Sequence, residues 1–208
     1  MAYARHWIPS PNKYNGRRHE LDLLVFHYSA GHGNAVALGR VFSSRSVQAS
    51  SHWGVGRDGE QAQYVDEDNT AWHAGDGLFP LDPAKDSPLA DNVNARSIGI
   101  EVCNRGWASS KHGRARGEAR HRNPRSRARS WEVFPEAQID SCLELCKEII
   151  ARRPTLKYYT GHEDVTNYVT AGGSKLDPGP FWPWRVFANL GLRRVMFNFS
   201  TERFEVVT

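Results

Sequence analysis

The run Leu21-Asp22-Leu23-Leu24-Val25-Phe26-His27-Tyr28 restricts the fold more than any other stretch. A short, nearly continuous apolar segment suits a strand covered on both faces, which requires a sheet with further layers packed on it. Such a strand delivers His27 to its C-terminal end. Leu156 to Gly161 reads as a second strand that ends just before His162. Pro135 to Arg152 is the clearest helix, because Ile139, Cys142, Leu143, Cys146, Ile149 and Ile150 follow a 3.6-residue period. Pro135 suits its first turn and Pro154 stops it. Ala35 to Ser44 reads as a short helix, and Trp182 to Leu190 as a last one ahead of Gly191. His52 to Gly56 and Gln61 to Val65 flank Asp58-Gly59, a hairpin signal. Ser97 to Cys103 is another strand, and residues 192 to 208 look like two short strands without an assigned function. The pattern predicts an α/β fold: one domain over 1–208, with a central mixed β-sheet flanked by helices.

At 208 residues the chain can bury a core without covalent staples. Its three cysteines show no framework spacing and read as reduced core thiols. No apolar run approaches the roughly 18 residues of a membrane span. Met1 to Asn12 lacks the continuous apolar core of a signal peptide, so the expectation is synthesis in the cytoplasm without one.

Charge is unevenly spread. From Arg105 to Arg129 nine Lys or Arg stand against one acid, Glu118, giving +8 in a chain of net charge +4, so the remainder is 4 − 8 = −4. This basic insertion, at about 105–130, is longer than ordinary connections between elements. It reads either as a solvated loop or as a contact for a polyanion, such as an anionic envelope polymer or lipopolysaccharide. Nucleic acid is disfavoured, because Trp107 and Trp131 lie only at its ends and no aromatics are interleaved for base stacking.

His162, Lys175 and Asp177 fall within sixteen residues. Taken singly, a histidine at a strand end is commonly a structural, hydrogen-bonded residue, and Asp177 before Pro178 reads as a turn residue. Two histidines ending neighbouring buried strands would nevertheless meet at one edge of the sheet, with Asp177 as a third ligand. Two imidazoles and a carboxylate form a ligand set typical of catalytic zinc, which leaves a fourth position open. Glu101, in the otherwise apolar Ser97-Ile98-Gly99-Ile100-Glu101, is either a salt-bridged or edge glutamate or a general base raised by burial. Lys175 is either a surface lysine or a donor to a developing oxyanion.

Phe26-His27-Tyr28-Ser29-Ala30-Gly31, Ser51-His52-Trp53-Gly54-Val55, Ala71-Trp72-His73-Ala74-Gly75, Asn94-Ala95-Arg96-Ser97-Ile98-Gly99-Ile100-Glu101, Gly161-His162-Glu163-Asp164 and Lys175-Leu176-Asp177-Pro178-Gly179-Pro180 occur in an order that resembles the type 2 N-acetylmuramoyl-L-alanine amidases. The resemblance runs from about Leu21 to Trp184. It implies zinc on His27, His162 and Asp177, with Glu101 handling protons and Lys175 steadying the oxyanion. It also implies that His73, Asn94 and Arg96 contact substrate, that Trp72 either faces the same groove or supports the core, and that peptidoglycan is cut between N-acetylmuramic acid and L-alanine. Within the family, the expectation is a phage or prophage endolysin acting on the cell wall. The alternatives are a cytosolic recycling amidase acting on anhydro-muropeptides and a muropeptide-binding module without catalysis. The interval Asn167 to Ser174 is longer than the family's usual loop, and the basic insertion lies outside the family core.

Overall fold

The computed structural model describes residues 3–31, 33–85, 87–90, 92–107, 116–165 and 175–207. The expected long loop at Asn167 to Ser174 and the middle of the basic insertion, 108–115, lie outside the described residues. An eight-stranded mixed sheet forms the centre, with strands in the order Arg5–Trp7, Gln61–Gln63, Trp53–Val55, Ser97–Val102, Leu23–Tyr28, Tyr158–Gly161, Arg193–Asn198, Arg203–Val207. The three middle strands run parallel, as their apolar composition requires. Their outer neighbours include two antiparallel pairings, Trp53–Val55 with Gln61–Gln63 and Arg193–Asn198 with Arg203–Val207.

The strand Leu23–Tyr28 sorts its side chains by parity, since successive residues point to opposite faces. Leu24 and Phe26, with Ile98, Ile100 and Val102, pack against Cys142, Leu145, Cys146 and Ile149 of the helix Glu136–Arg152. Burying each such aliphatic or aromatic side chain is worth about 1.5–3 kcal/mol. Leu23 and Val25 face the other layer, with Ala74, Phe79, Val93 and Val195. His27 shares that second face, as does Glu101 opposite it.

The helices expected over Ala35 to Ser44 and Pro135 to Arg152 form over Ala35–Phe42 and Glu136–Arg152, and the one expected over Trp182 to Leu190 is a 3-10 helix, Trp184–Leu190, closed by Gly191 at φ +76°. Asn34 caps the first of them, its side chain accepting the Ala37 N–H at 2.8 Å. The cysteines at 103, 142 and 146 are buried free thiols. Among the described residues no helix is long and apolar enough to cross a membrane. The basic insertion contains regular structure: Arg116–Glu118 pairs antiparallel with Ser130–Glu132.

Candidate active site

Three adjacent parallel strands bring the chemistry together. Register pairs His27 with Glu101 on one side, and Phe26 with Gly161 on the other, so His162 emerges one step beyond Gly161 beside His27. The loop carrying Asp177 closes over this edge. Gly161 permits it, because a Cβ there would stand 2.6 Å from Pro178 Cδ. The Glu163 N–H donates to the Asp177 carbonyl at 2.8 Å, tying the His162 turn to the Asp177 loop.

His27 Nδ1, His162 Nδ1 and Asp177 Oδ2 converge: the separations are 3.0 Å between the imidazole nitrogens, 3.2 Å from His27 to Asp177 and 2.9 Å from His162 to Asp177. Ligand atoms about 2.0–2.1 Å from a tetrahedral zinc would lie ~3.3 Å apart. The donor set and spacing therefore fit that ion. All three residues are buried.

A hydrogen-bond relay behind His27 sets its tautomer. The Val93 carbonyl can only accept, so Ser97 Oγ donates to it at 2.5 Å and accepts from His73 Nε2 at 3.1 Å. His73 Nδ1 is then the acceptor for His27 Nε2–H, at 3.0 Å. His27 Nδ1 is left without a proton, its lone pair turned to the cluster, as a metal ligand requires. Burial first, then the His162 ring beside it, push His27 down to about 4. Burial likewise holds His73 well below its ordinary value. Although burial works to raise Asp177, the charge and hydrogen bond of His162 hold it far below the usual carboxylate range.

Gly99 makes the relay possible. A Cβ there would meet the His73 ring at 2.5 Å, so the imidazole lies over the strand where a side chain would otherwise stand. His52 fastens the same strand from below, its Nδ1 accepting the Gly99 N–H at 3.0 Å.

A cleft of about 350 Å³ opens over the cluster, and its lining includes Glu101, Lys175, Trp72 and Trp107. Glu101 Oε2 is buried without a hydrogen-bond partner among the described residues. Burial, then the Asp177 carboxylate, push Glu101 up to about 8. Lys175 stands exposed on the rim. His73 reaches the cleft wall but both its ring nitrogens are taken by the relay.

Asn94 and Arg96, expected at the substrate, do not line this cleft. Asn94 Oδ1 accepts the N–H groups of His73 and Ala74, at 3.0 and 2.8 Å, and so holds the loop that presents His73. Arg96 is 4% exposed, with Nε on Asp22 Oδ1 at 2.8 Å and Nη1 on the Pro80 carbonyl at 2.8 Å. Its guanidinium is satisfied inside the fold, as a buried charge must be. Sequence reasoning missed Ser97, which carried no signal beyond its place beside Arg96. It also missed Trp107 as part of the cleft, though it stood out as an aromatic at the edge of a basic run.

Comparison with known proteins gives concordant matches. A family model described as N-acetylmuramoyl-L-alanine amidase matches residues 17–180. The N-acetylmuramoyl-L-alanine amidase AmiD of Escherichia coli K12 is 30% identical over 180 residues, covering 83% of this chain and 54% of AmiD. The 1,6-anhydro-N-acetylmuramyl-L-alanine amidase AmpD of Enterobacter cloacae is 28% identical, covering 64% of this chain and 52% of AmpD. The chain thus spans about half the length of these curated relatives. The solved E. coli AmiD complex with anhydro-N-acetylmuramic acid-L-Ala-D-gamma-Glu-L-Lys superposes with TM-score 0.58 at 28% identity, covering 83% of this chain and 58% of that one.

Proposed function

The chain belongs to the N-acetylmuramoyl-L-alanine amidase family, and on that premise we propose that it is a zinc hydrolase cutting the amide between N-acetylmuramic acid and L-alanine. The observation that carries this reading is the convergence of His27 Nδ1, His162 Nδ1 and Asp177 Oδ2 beside Glu101, one carboxylate oxygen of which is buried without a hydrogen-bond partner among the described residues. Zinc held by His27, His162 and Asp177 would supply Lewis acidity to the scissile carbonyl and make an attacking water more acidic. Glu101 takes the proton from that water and passes it to the departing L-alanine amine. With a cation held at the three ligands, the Glu101 carboxyl would lie below about 8, nearer the range where it accepts a proton at neutral pH. Lys175, on the rim, donates to the carbonyl oxygen as negative charge develops there. Trp72 and Trp107 offer apolar ring faces to the sugar and stem peptide.

The substrate in this proposal is intact peptidoglycan, with the protein acting as a phage or prophage endolysin. Exposed Arg120, Arg125, Arg127 and Arg129 offer a cationic edge for an anionic envelope polymer or lipopolysaccharide. A second reading, a recycling amidase for soluble anhydro-muropeptides, is favoured by the substrate held in the AmiD complex and by the name of the AmpD relative.

One experiment tests both. Purified sacculi and a soluble anhydro-muropeptide are each incubated with wild type, chelator-treated protein and His162→Ala, and new L-alanine amino termini are counted. Cleavage of sacculi by wild type alone is the expected result. Cleavage of the soluble fragment alone transfers the assignment to recycling, and cleavage of neither overturns the hydrolase.

A further inference from the structure

The basic insertion is divided into an outward and an inward set of side chains. Arg120, Arg125, Arg127 and Arg129 are exposed, whereas His121, Asn123 and Ala128 between them are buried. The hairpin Arg116–Glu118/Ser130–Glu132 and its connecting turn therefore pack inward, onto the segments that carry two of the three ligands.

The contacts are specific. Glu163 and Asp164, which directly follow His162, are buried at 2% and 0% exposure. Arg122 Nε donates to Glu163 Oε1 at 3.0 Å, Arg122 Nη2 pairs with Asp164 Oδ1, and Arg122 Nη1 donates to the Phe197 carbonyl at 2.6 Å. His121 Nδ1 accepts the Asn123 N–H at 3.0 Å, so the ring proton sits on Nε2, which stands at ion-pair distance from Glu163 Oε2 without hydrogen-bond alignment. The His121 ring stacks on Trp131 with centroids 5.5 Å apart, and Trp131 Nε1 donates to the Ala119 carbonyl at 3.0 Å. Trp131 in turn lies against the Asp177 loop, for a Cβ on Gly179 would stand 3.0 Å from its ring.

We propose that this hairpin is the positioning element for His162 and Asp177, and that His121 and Arg122 set the affinity of the site for its metal. The inference rests on the zinc reading above. Its physical reason lies in Glu163, whose side chain is held by the hairpin and whose N–H is held by the Asp177 carbonyl. Two carboxylates this deeply buried require partners, and loss of the partners forces them toward water. Any such movement carries the adjoining His162 away from His27 and releases the Asp177 loop. Among the described residues Arg120 and Arg127 make no such connection, so one segment serves two separate ends.

The test measures zinc affinity in the full chain by competition with a chromophoric chelator, with the thermal midpoint of the metal-free protein read alongside. His121→Leu and Arg122→Ala should weaken zinc binding about 10–100-fold, the range typical of groups that orient ligands. His121→Gln, which keeps an N–H donor, should restore most of the loss. Arg120→Ala and Arg127→Ala should bind zinc as wild type does. Arg122→Lys, which keeps the charge but not the fork, serves as the milder variant where Arg122→Ala does not fold. Unchanged zinc affinity in the inward variants, with or without a lowered midpoint, overturns the positioning role. Failure of wild type itself to bind zinc removes the reading beneath it instead.

Discussion

Glu101 and Glu163 both sit beside the His27–His162–Asp177 cluster, yet the fold treats them in opposite ways. Glu163 has Arg122 hydrogen-bonded to one oxygen, the His121 ring at ion-pair distance from the other but not aligned for a hydrogen bond, and its N–H bonded to the Asp177 carbonyl. Glu101 has an oxygen buried with neither a hydrogen-bond nor an ion-pair partner among the described residues, and its carboxyl is pushed up to about 8. Buried polar groups are nearly always satisfied, and exceptions concentrate where chemistry needs them. Under the proposed reaction, the contrast separates a carboxylate that builds the site from one that works within it.

The largest effect that sharpens this contrast is expected at Glu101. Glu101→Gln should lower turnover on the order of 10²–10⁴-fold, as loss of a proton-transfer group does, while leaving zinc content as in wild type. Amide cleavage and metal analysis on the same preparation check this. Near-full activity in that variant would make Glu101 no more than a tolerated buried acid.

A smaller effect is expected in the relay. His73→Leu removes the acceptor that keeps the proton on His27 Nε2, and should weaken zinc binding about 10–100-fold. His73→Gln, whose amide oxygen can accept that proton, should lose less. Equal losses in the two variants, measured by chelator competition, would reduce His73 to a filler of the space above Gly99.

The smallest effect concerns stability of the metal-free protein. Glu101 has a folded-state value raised from 4.5 to about 8, so the folded protein holds its proton more tightly than the unfolded chain does. Below pH 4.5 the two states are alike; stability falls as pH rises through the interval, and the full penalty stands above about 8. Glu101→Gln should thus raise the thermal midpoint at pH 9 and have little effect near pH 4, each kcal/mol corresponding to about 2–4 °C at this chain length. A gain that is the same at both values would mean that Glu101 is hydrated in solution.

Much of the site was legible in the chain because two expected strands end at or just before a histidine. A strand buried on both faces has a fixed direction, and its last side chain must stand at the sheet's edge, so His27 and His162 were placed by pattern alone. Glu101 stood out for the same reason, as a charge within an apolar strand. Arg96 misled. It lies within a motif adjoining Glu101 and was expected at the substrate, but its partner, Asp22, is 74 residues away and has no local signature. The basic insertion was legible as charge and illegible as architecture: nothing in its spacing separates Arg122, turned inward onto Glu163 and Asp164, from Arg120 and Arg127, turned out.

By itself, the sequence determined the α/β class, the two strand ends that carry histidines, the long helix and the hairpin at Asp58-Gly59, since each follows from local periodicity or turn chemistry. The tertiary structure alone decided which polar groups are spent on one another. It joined Val93, Ser97 and His73 to orient His27, paired Arg96 with Asp22, and folded His121 and Arg122 onto the turn after His162. Hydrogen bonds and ion pairs between residues far apart in the chain leave no period to read, because their partners are selected by where the sheet brings the backbone, and only then by charge.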